Sequence, residues 1–63
     1  GNKLHAPACD ELTIYSVDGR ILISERDLTR SDNIIDLGEL SEKIVIIKIK
    51  NNEKVGVEKV VVF

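Results

Sequence analysis

Leu12-Thr13-Ile14-Tyr15-Ser16-Val17, then Asp18-Gly19, then Arg20-Ile21-Leu22-Ile23-Ser24-Glu25 is the stretch that decides the fold class. Its flanks alternate and are rich in β-branched residues, which suit a pleated, half-buried surface. Asp18 and Gly19 both tolerate positive φ, so the dipeptide marks a hairpin. A two-residue turn sets Val17 against Arg20, Tyr15 against Leu22 and Ile14 against Ile23. A three-residue loop with Gly19 in a bulge shifts every pair, and the sequence admits both.

Further along, Arg26 to Asp32 is polar and mixed in sign, which reads as a loop. Asn33-Ile34-Ile35-Asp36-Leu37 is a brief strand, and Gly38-Glu39-Leu40-Ser41-Glu42 a turn with Leu40 as its apolar anchor. Lys43-Ile44-Val45-Ile46-Ile47-Lys48-Ile49-Lys50 is the strongest strand. Its first half is apolar on both faces, which predicts a central strand covered on both sides. Its second half alternates, with Ile47 and Ile49 inward and Lys48 and Lys50 outward. Asn51-Asn52-Glu53 turns the chain, because Asn accepts left-handed angles.

The last strand is Lys54 to Phe63. Val55 and Val57 share one parity there, and Val60 and Val62 the other. A β-bulge at Glu58-Lys59 is therefore expected, bringing both valine pairs to one face. Before the hairpin, Gly1 to Cys9 lacks periodicity, and Pro7 excludes a central strand position. Residues 1–9 accordingly read as a flexible lead-in and 10–63 as the folded domain. About five short strands joined by turns imply an all-β antiparallel sandwich or open barrel.

Composition narrows the function. Sixty-three residues allow one small domain with no room for a large enclosed site. Nine Ile and seven Val dominate the apolar content, while Tyr15 and Phe63 are the only aromatics. That scarcity argues against stacking on nucleic-acid bases and against aromatic platforms for sugars. A lone cysteine cannot form an internal disulfide, and no apolar run approaches the ~20 residues that span a bilayer. The net charge of −2 is unevenly spread. Five lysines (Lys43, Lys48, Lys50, Lys54, Lys59) crowd the last third, where they attract anions or keep strand edges soluble.

Few constellations carry chemistry. His5 and Cys9 cannot complete a tetrahedral metal site by themselves, so no metal and no cofactor are expected. The single His lies in the lead-in, away from Ser16, Ser24, Ser31 and Ser41, which gives nucleophilic catalysis no base. The four glycines are scattered, so no phosphate loop forms. The chain reads as non-enzymatic.

The order of segments is more telling. Pro7-Ala8-Cys9-Asp10-Glu11-Leu12-Thr13-Ile14, Ile14-Tyr15-Ser16-Val17-Asp18-Gly19-Arg20-Ile21-Leu22, Ile35-Asp36-Leu37-Gly38-Glu39-Leu40-Ser41, Ile46-Ile47-Lys48-Ile49 and Glu58-Lys59-Val60-Val61-Val62 follow one another. Together, from about Pro7 to Phe63, they resemble the C-terminal sorting domain of the type IX (Por) secretion system of Bacteroidetes. The resemblance implies an immunoglobulin-like β-sandwich that follows a covalently attached cargo protein. It implies passage through the periplasm to the cell surface or the medium. The partners implied are the secretion machinery and a sortase-like peptidase, with no nucleic acid. Matched to the late motifs, the recognition surface is Gly38, Leu40, Lys48, Lys59, Val60, Val61 and Val62. The first strand runs straight into the Ile14–Arg20 segment, as though an early hairpin were deleted. The exposed edge this leaves predicts a strand-edge homodimer. The alternative reading is a non-catalytic β-sandwich module for adhesion or carbohydrate binding.

Overall fold

The computed structural model describes residues 3–38 and 40–62. Six strands follow in order: β1 (Lys3–Ala6), β2 (Cys9–Ser16), β3 (Ile21–Leu28), β4 (Asn33–Asp36), β5 (Ile44–Asn51) and β6 (Lys54–Val61). A four-stranded antiparallel sheet has the order β3-β2-β5-β6, and β1 pairs with β4 in a second, two-stranded sheet. The Cα trace is 14 Å deep along its shortest axis, as expected for two layers about 10 Å apart. The fold is a small all-β antiparallel sandwich.

The core lies between the sheets. The small sheet contributes Ala6 and Ile35, and the large one Leu12, Ile14, Val45 and Ile47; Cys9, Leu37 and Val62 close the ends. Register explains the choice. Leu12 pairs with Ile49, Ile14 with Ile47 and Ser16 with Val45, so alternate residues of the two central strands share the inner face. Lys48 and Lys50 point outward with Thr13 and Glu11, as their alternation predicts. On the outer side of β5, Ile44 and Ile46 are half-buried rather than covered. Among the described residues no second sheet packs on that face, which corrects the expectation of burial on both sides.

At the first hairpin the loop is the three-residue form. Gly19 donates its N–H to the Ser16 carbonyl (3.0 Å) and Ser16 its own to the Arg20 carbonyl (2.8 Å), with Gly19 at φ 92. Glycine is required there, because a side chain strains at that angle. Tyr15 consequently faces Ile21. Leu22 is then extruded as a bulge, which restores Ile14 opposite Ile23. The two irregularities cancel, and the isoleucines meet as they would across a two-residue turn.

Three sequence-based expectations change. The lead-in carries β1, with Leu4 opposite Ile35 and His5 opposite Ile34, so residues 3–6 belong to the sandwich and the described residues form six strands. Its partner β4 lies 27 residues away, too distant for local pattern to reveal. The loop assigned to Arg26–Asp32 starts later, since β3 continues to Leu28 opposite Cys9. Finally, β6 has no bulge at Glu58-Lys59. Ile47 pairs with Glu58 and Ile46 with Lys59 in a regular ladder. Val60 therefore lies inward opposite Val45, while Val55, Val57 and Val61 lie outward and are 53%, 66% and 54% exposed. Phe63, placed in this strand from sequence, lies outside the described residues.

Candidate functional site

Four of the seven sequence-assigned recognition residues converge at one end of the large sheet. Asp36, at the end of β4, accepts the Gly38 N–H on Oδ1 (2.8 Å), and Leu40 donates its N–H to the Leu37 carbonyl (3.1 Å). This Asx-type turn folds the chain over the sheet end and seats Leu40, half-buried, against the core. A Cβ at Gly38 would lie 3.1 Å from Asp36 Oδ1, so a larger residue there requires the carboxylate that makes the turn to give way by a few tenths of an ångström. Across from it, Val62 donates its N–H to the Lys43 carbonyl (2.6 Å) and buries its side chain. Between these segments lies an open cleft of about 490 Å³, walled by Gly38, Leu40, Lys43, Ile44, Val61 and Val62 among others.

The cleft is chiefly aliphatic with a charged rim. Glu42 accepts from Arg20 Nη2 at 2.8 Å, tying the β2–β3 hairpin to this loop. The Arg20 side chain is 66% exposed, so the pair adds less than about 1 kcal/mol. At the hairpin itself, Asp18 accepts a hydrogen bond from Ser16 Oγ, which holds its carboxyl below the usual carboxylate range. Ser16 Oγ in turn accepts the Arg20 N–H at 3.1 Å.

The remaining recognition residues lie elsewhere. Val60 is half-buried on the inner face opposite Val45. Lys48 and Lys59 are exposed on the outer face, opposite Val57 and Ile46 respectively. Gly38, Leu40, Val61 and Val62 thus share the cleft, and the two lysines belong to a separate sheet surface. Lys43 and Ile44 were absent from the assignment. Their place in the cleft follows from the start of β5 lying beside the end of β6, a pairing that spacing along the chain does not encode.

The groups with catalytic potential are dispersed. His5 Nδ1 lies 3.0 Å from Asp32 Oδ1, with side chains 63% and 62% exposed. Among the described residues no hydroxyl or thiol hydrogen-bonds to His5. Cys9 is a core residue at the start of β2 rather than part of a mobile segment, and burial pushes its thiol pKa up. A raised thiol pKa suits packing, not nucleophilic attack. Among the described residues no group of three metal-ligating side chains comes together. Comparison with protein-family models, with curated proteins and with solved structures finds no match to this chain.

Proposed function

We propose that this chain is a C-terminal sorting domain of the type IX kind, an immunoglobulin-like address that directs an attached cargo across the outer membrane and performs no catalysis. The observation that carries the reading is the meeting of the late motifs. Gly38 and Leu40 stand beside Val61 and Val62 around one cleft, although twenty or more residues separate them in sequence. A signal that must be recognised as a folded unit needs such a surface and needs no enclosed pocket. The secretion machinery would read the cleft and the lysine-bearing face. A sortase-like peptidase would act on the segment that joins the domain to its cargo.

The test is a reporter protein followed by the chain, expressed in a bacterium with type IX secretion and in a sibling strain with that system inactivated. The expected result is reporter at the surface or in the medium of the first strain only. Val61→Glu, at an exposed position of the cleft, should abolish export while leaving the far-UV circular dichroism unchanged. Export that is absent from both strains, equal in both, or indifferent to Val61→Glu would overturn the proposal.

A further inference from the structure

The two edges of the large sheet are built differently. On β3 the ladder is broken by the bulge at Leu22 and again by Asp27, whose φ of 55 turns the backbone out of the strand conformation. Irregularities of this kind blunt an edge against further pairing. β6 has no such interruption: its ladder to β5 runs unbroken from Lys54 to Val61. The Val62 N–H points to the Lys43 carbonyl at the end of β5, so by alternation the N–H and C=O groups of Val55, Val57, Lys59 and Val61 face away from β5.

Two features of this segment have no use within one chain. Gly56 sits in mid-strand, where its φ is not positive and a Cβ would meet nothing within 4 Å. Neither a turn nor crowding therefore calls for glycine. Glycine inside a strand weakens it, and often marks the place where another backbone comes close. The second feature is charge. Glu53, Lys54, Glu58 and Lys59 are exposed and, among the described residues, form no ion pair. Lys54 and Gly56 share the inner face with Glu58, beyond the reach of the narrow β1–β4 sheet, while Lys59 lies on the outer face with Val55 and Val57.

A second copy of the strand answers both. Antiparallel self-pairing sets outward backbone groups opposite one another, so paired residues have like parity and each register is centred on one residue. Four registers pair five or more residues of β6, with centres at Gly56, Val57, Glu58 and Lys59. The centres at Glu58 and Lys59 set that residue against its own like charge, which is destabilising. The centre at Val57 sets no charge opposite another. The centre at Gly56 sets Lys54 opposite Glu58 and Glu53 opposite Lys59, each twice, with Val55 opposite Val57 on the outer face. On the axis Gly56 meets Gly56 in a non-hydrogen-bonded pair, the kind in which Cα atoms lie only ~4.5 Å apart. Both charge pairs and the unexplained glycine thus answer to a single axis, a coincidence that the strand of another protein would not require. We propose that two copies of this chain pair through β6, antiparallel and centred on Gly56, joining two four-stranded sheets into one of eight strands. Five paired residues make a small interface, so the dimer is a weak one, with Kd on the order of 0.1–1 mM. The inference goes beyond the sorting reading and does not depend on it.

Sedimentation equilibrium of the chain across about 0.02–2 mM should show the mean mass rise from that of one chain toward that of two. Lys54→Glu and Glu58→Lys each turn two attractive pairs into two repulsive ones, and each should weaken the dimer at least about tenfold. The double variant Lys54→Glu/Glu58→Lys restores opposite charges across the axis and should return to within about threefold of the parent. All these side chains are exposed, so far-UV circular dichroism should stay that of the parent. The axis itself is read by cross-linking. Gly56→Cys puts two thiols across the two-fold at a Cα separation that suits a disulfide, in open space that leaves the fold intact, and the native Cys9 is buried. Under mild oxidation it should form a covalent dimer at least about tenfold faster than Val57→Cys. A chain that stays monomeric throughout the concentration range, a double variant no better than the singles, or faster cross-linking at position 57 would overturn the proposal.

Discussion

The register of β6 can be tested by replacing valines with threonine, which keeps size and β-branching and changes only polarity. Val62 is 6% exposed and Val57 66% exposed. At Val62 the new hydroxyl is buried without a partner, at a cost of about 1–3 kcal/mol, and one methyl, worth ~0.8 kcal/mol, no longer contributes to the core. At Val57 the hydroxyl stays in water, and about a third of one methyl's burial is lost, ~0.3 kcal/mol. Intrinsic strand preference is nearly the same for the two side chains, so the contrast between sites reports burial. A domain of this size holds about 3–5 kcal/mol in total. Val62→Thr should therefore remove about half of it, while Val57→Thr and Val55→Thr remain within about 0.5 kcal/mol of the parent. Urea unfolding followed by far-UV circular dichroism is the suitable assay, since the chain has no Trp. With a slope of about 1 kcal/mol per molar urea, the Val62→Thr midpoint falls by ~2 M. Equal losses at Val57 and Val62 would refute the regular ladder and restore a bulge at Glu58-Lys59. A neutral Val62→Thr would remove Val62 from the core.

Three further outcomes are expected. Gly19→Ala should cost about 1–2 kcal/mol through backbone strain alone, since its φ is 92 and a Cβ meets nothing within 4 Å; thermal melts of the two proteins measure it. The Asp18 carboxyl, held low by Ser16 Oγ, should titrate below an ordinary aspartate in NMR and return toward the usual range in Ser16→Ala. Because its folded pKa is the lower one, any stability it supplies is present above the unfolded carboxylate pKa. That stability is lost as pH falls through the folded value. Cys9 should react with a disulfide reagent at mildly alkaline pH at least about tenfold more slowly than in urea, since burial both shields the thiol and raises its pKa.

Most strands were legible in the sequence because their signals are local. The β2–β3 hairpin announces itself through Asp18-Gly19 between alternating segments. β5 does so through its isoleucines, and the turn after it through Asn52, whose φ of 58 uses the tolerance of asparagine for left-handed angles. β1 was not legible. It is four residues long, and its partner β4 is brought to it only by the fold. Cys9 was misplaced with it, because a thiol at the start of a strand looks the same in the sequence whether the fold buries it or not. The candidate site was half legible: Gly38, Leu40, Val61 and Val62 do share a cleft, while Lys48 and Lys59 belong to the outer face.

The amino-acid sequence by itself determined an all-β chain of short strands, with turns at Gly19 and Asn52 and a lysine-rich final third. Period-two alternation and left-handed turn residues act within a few positions, so they require no knowledge of the rest of the molecule. Tertiary structure alone decided which face of β6 is inside. A two-stranded sheet is too narrow to cover four strands, so Glu58 and Gly56 sit on the inner face of β6 yet remain exposed, and three valines turn to the open side. Burial at that edge is set by what packs above it, a non-local quantity that the pattern of Val, Glu and Lys along one strand does not contain.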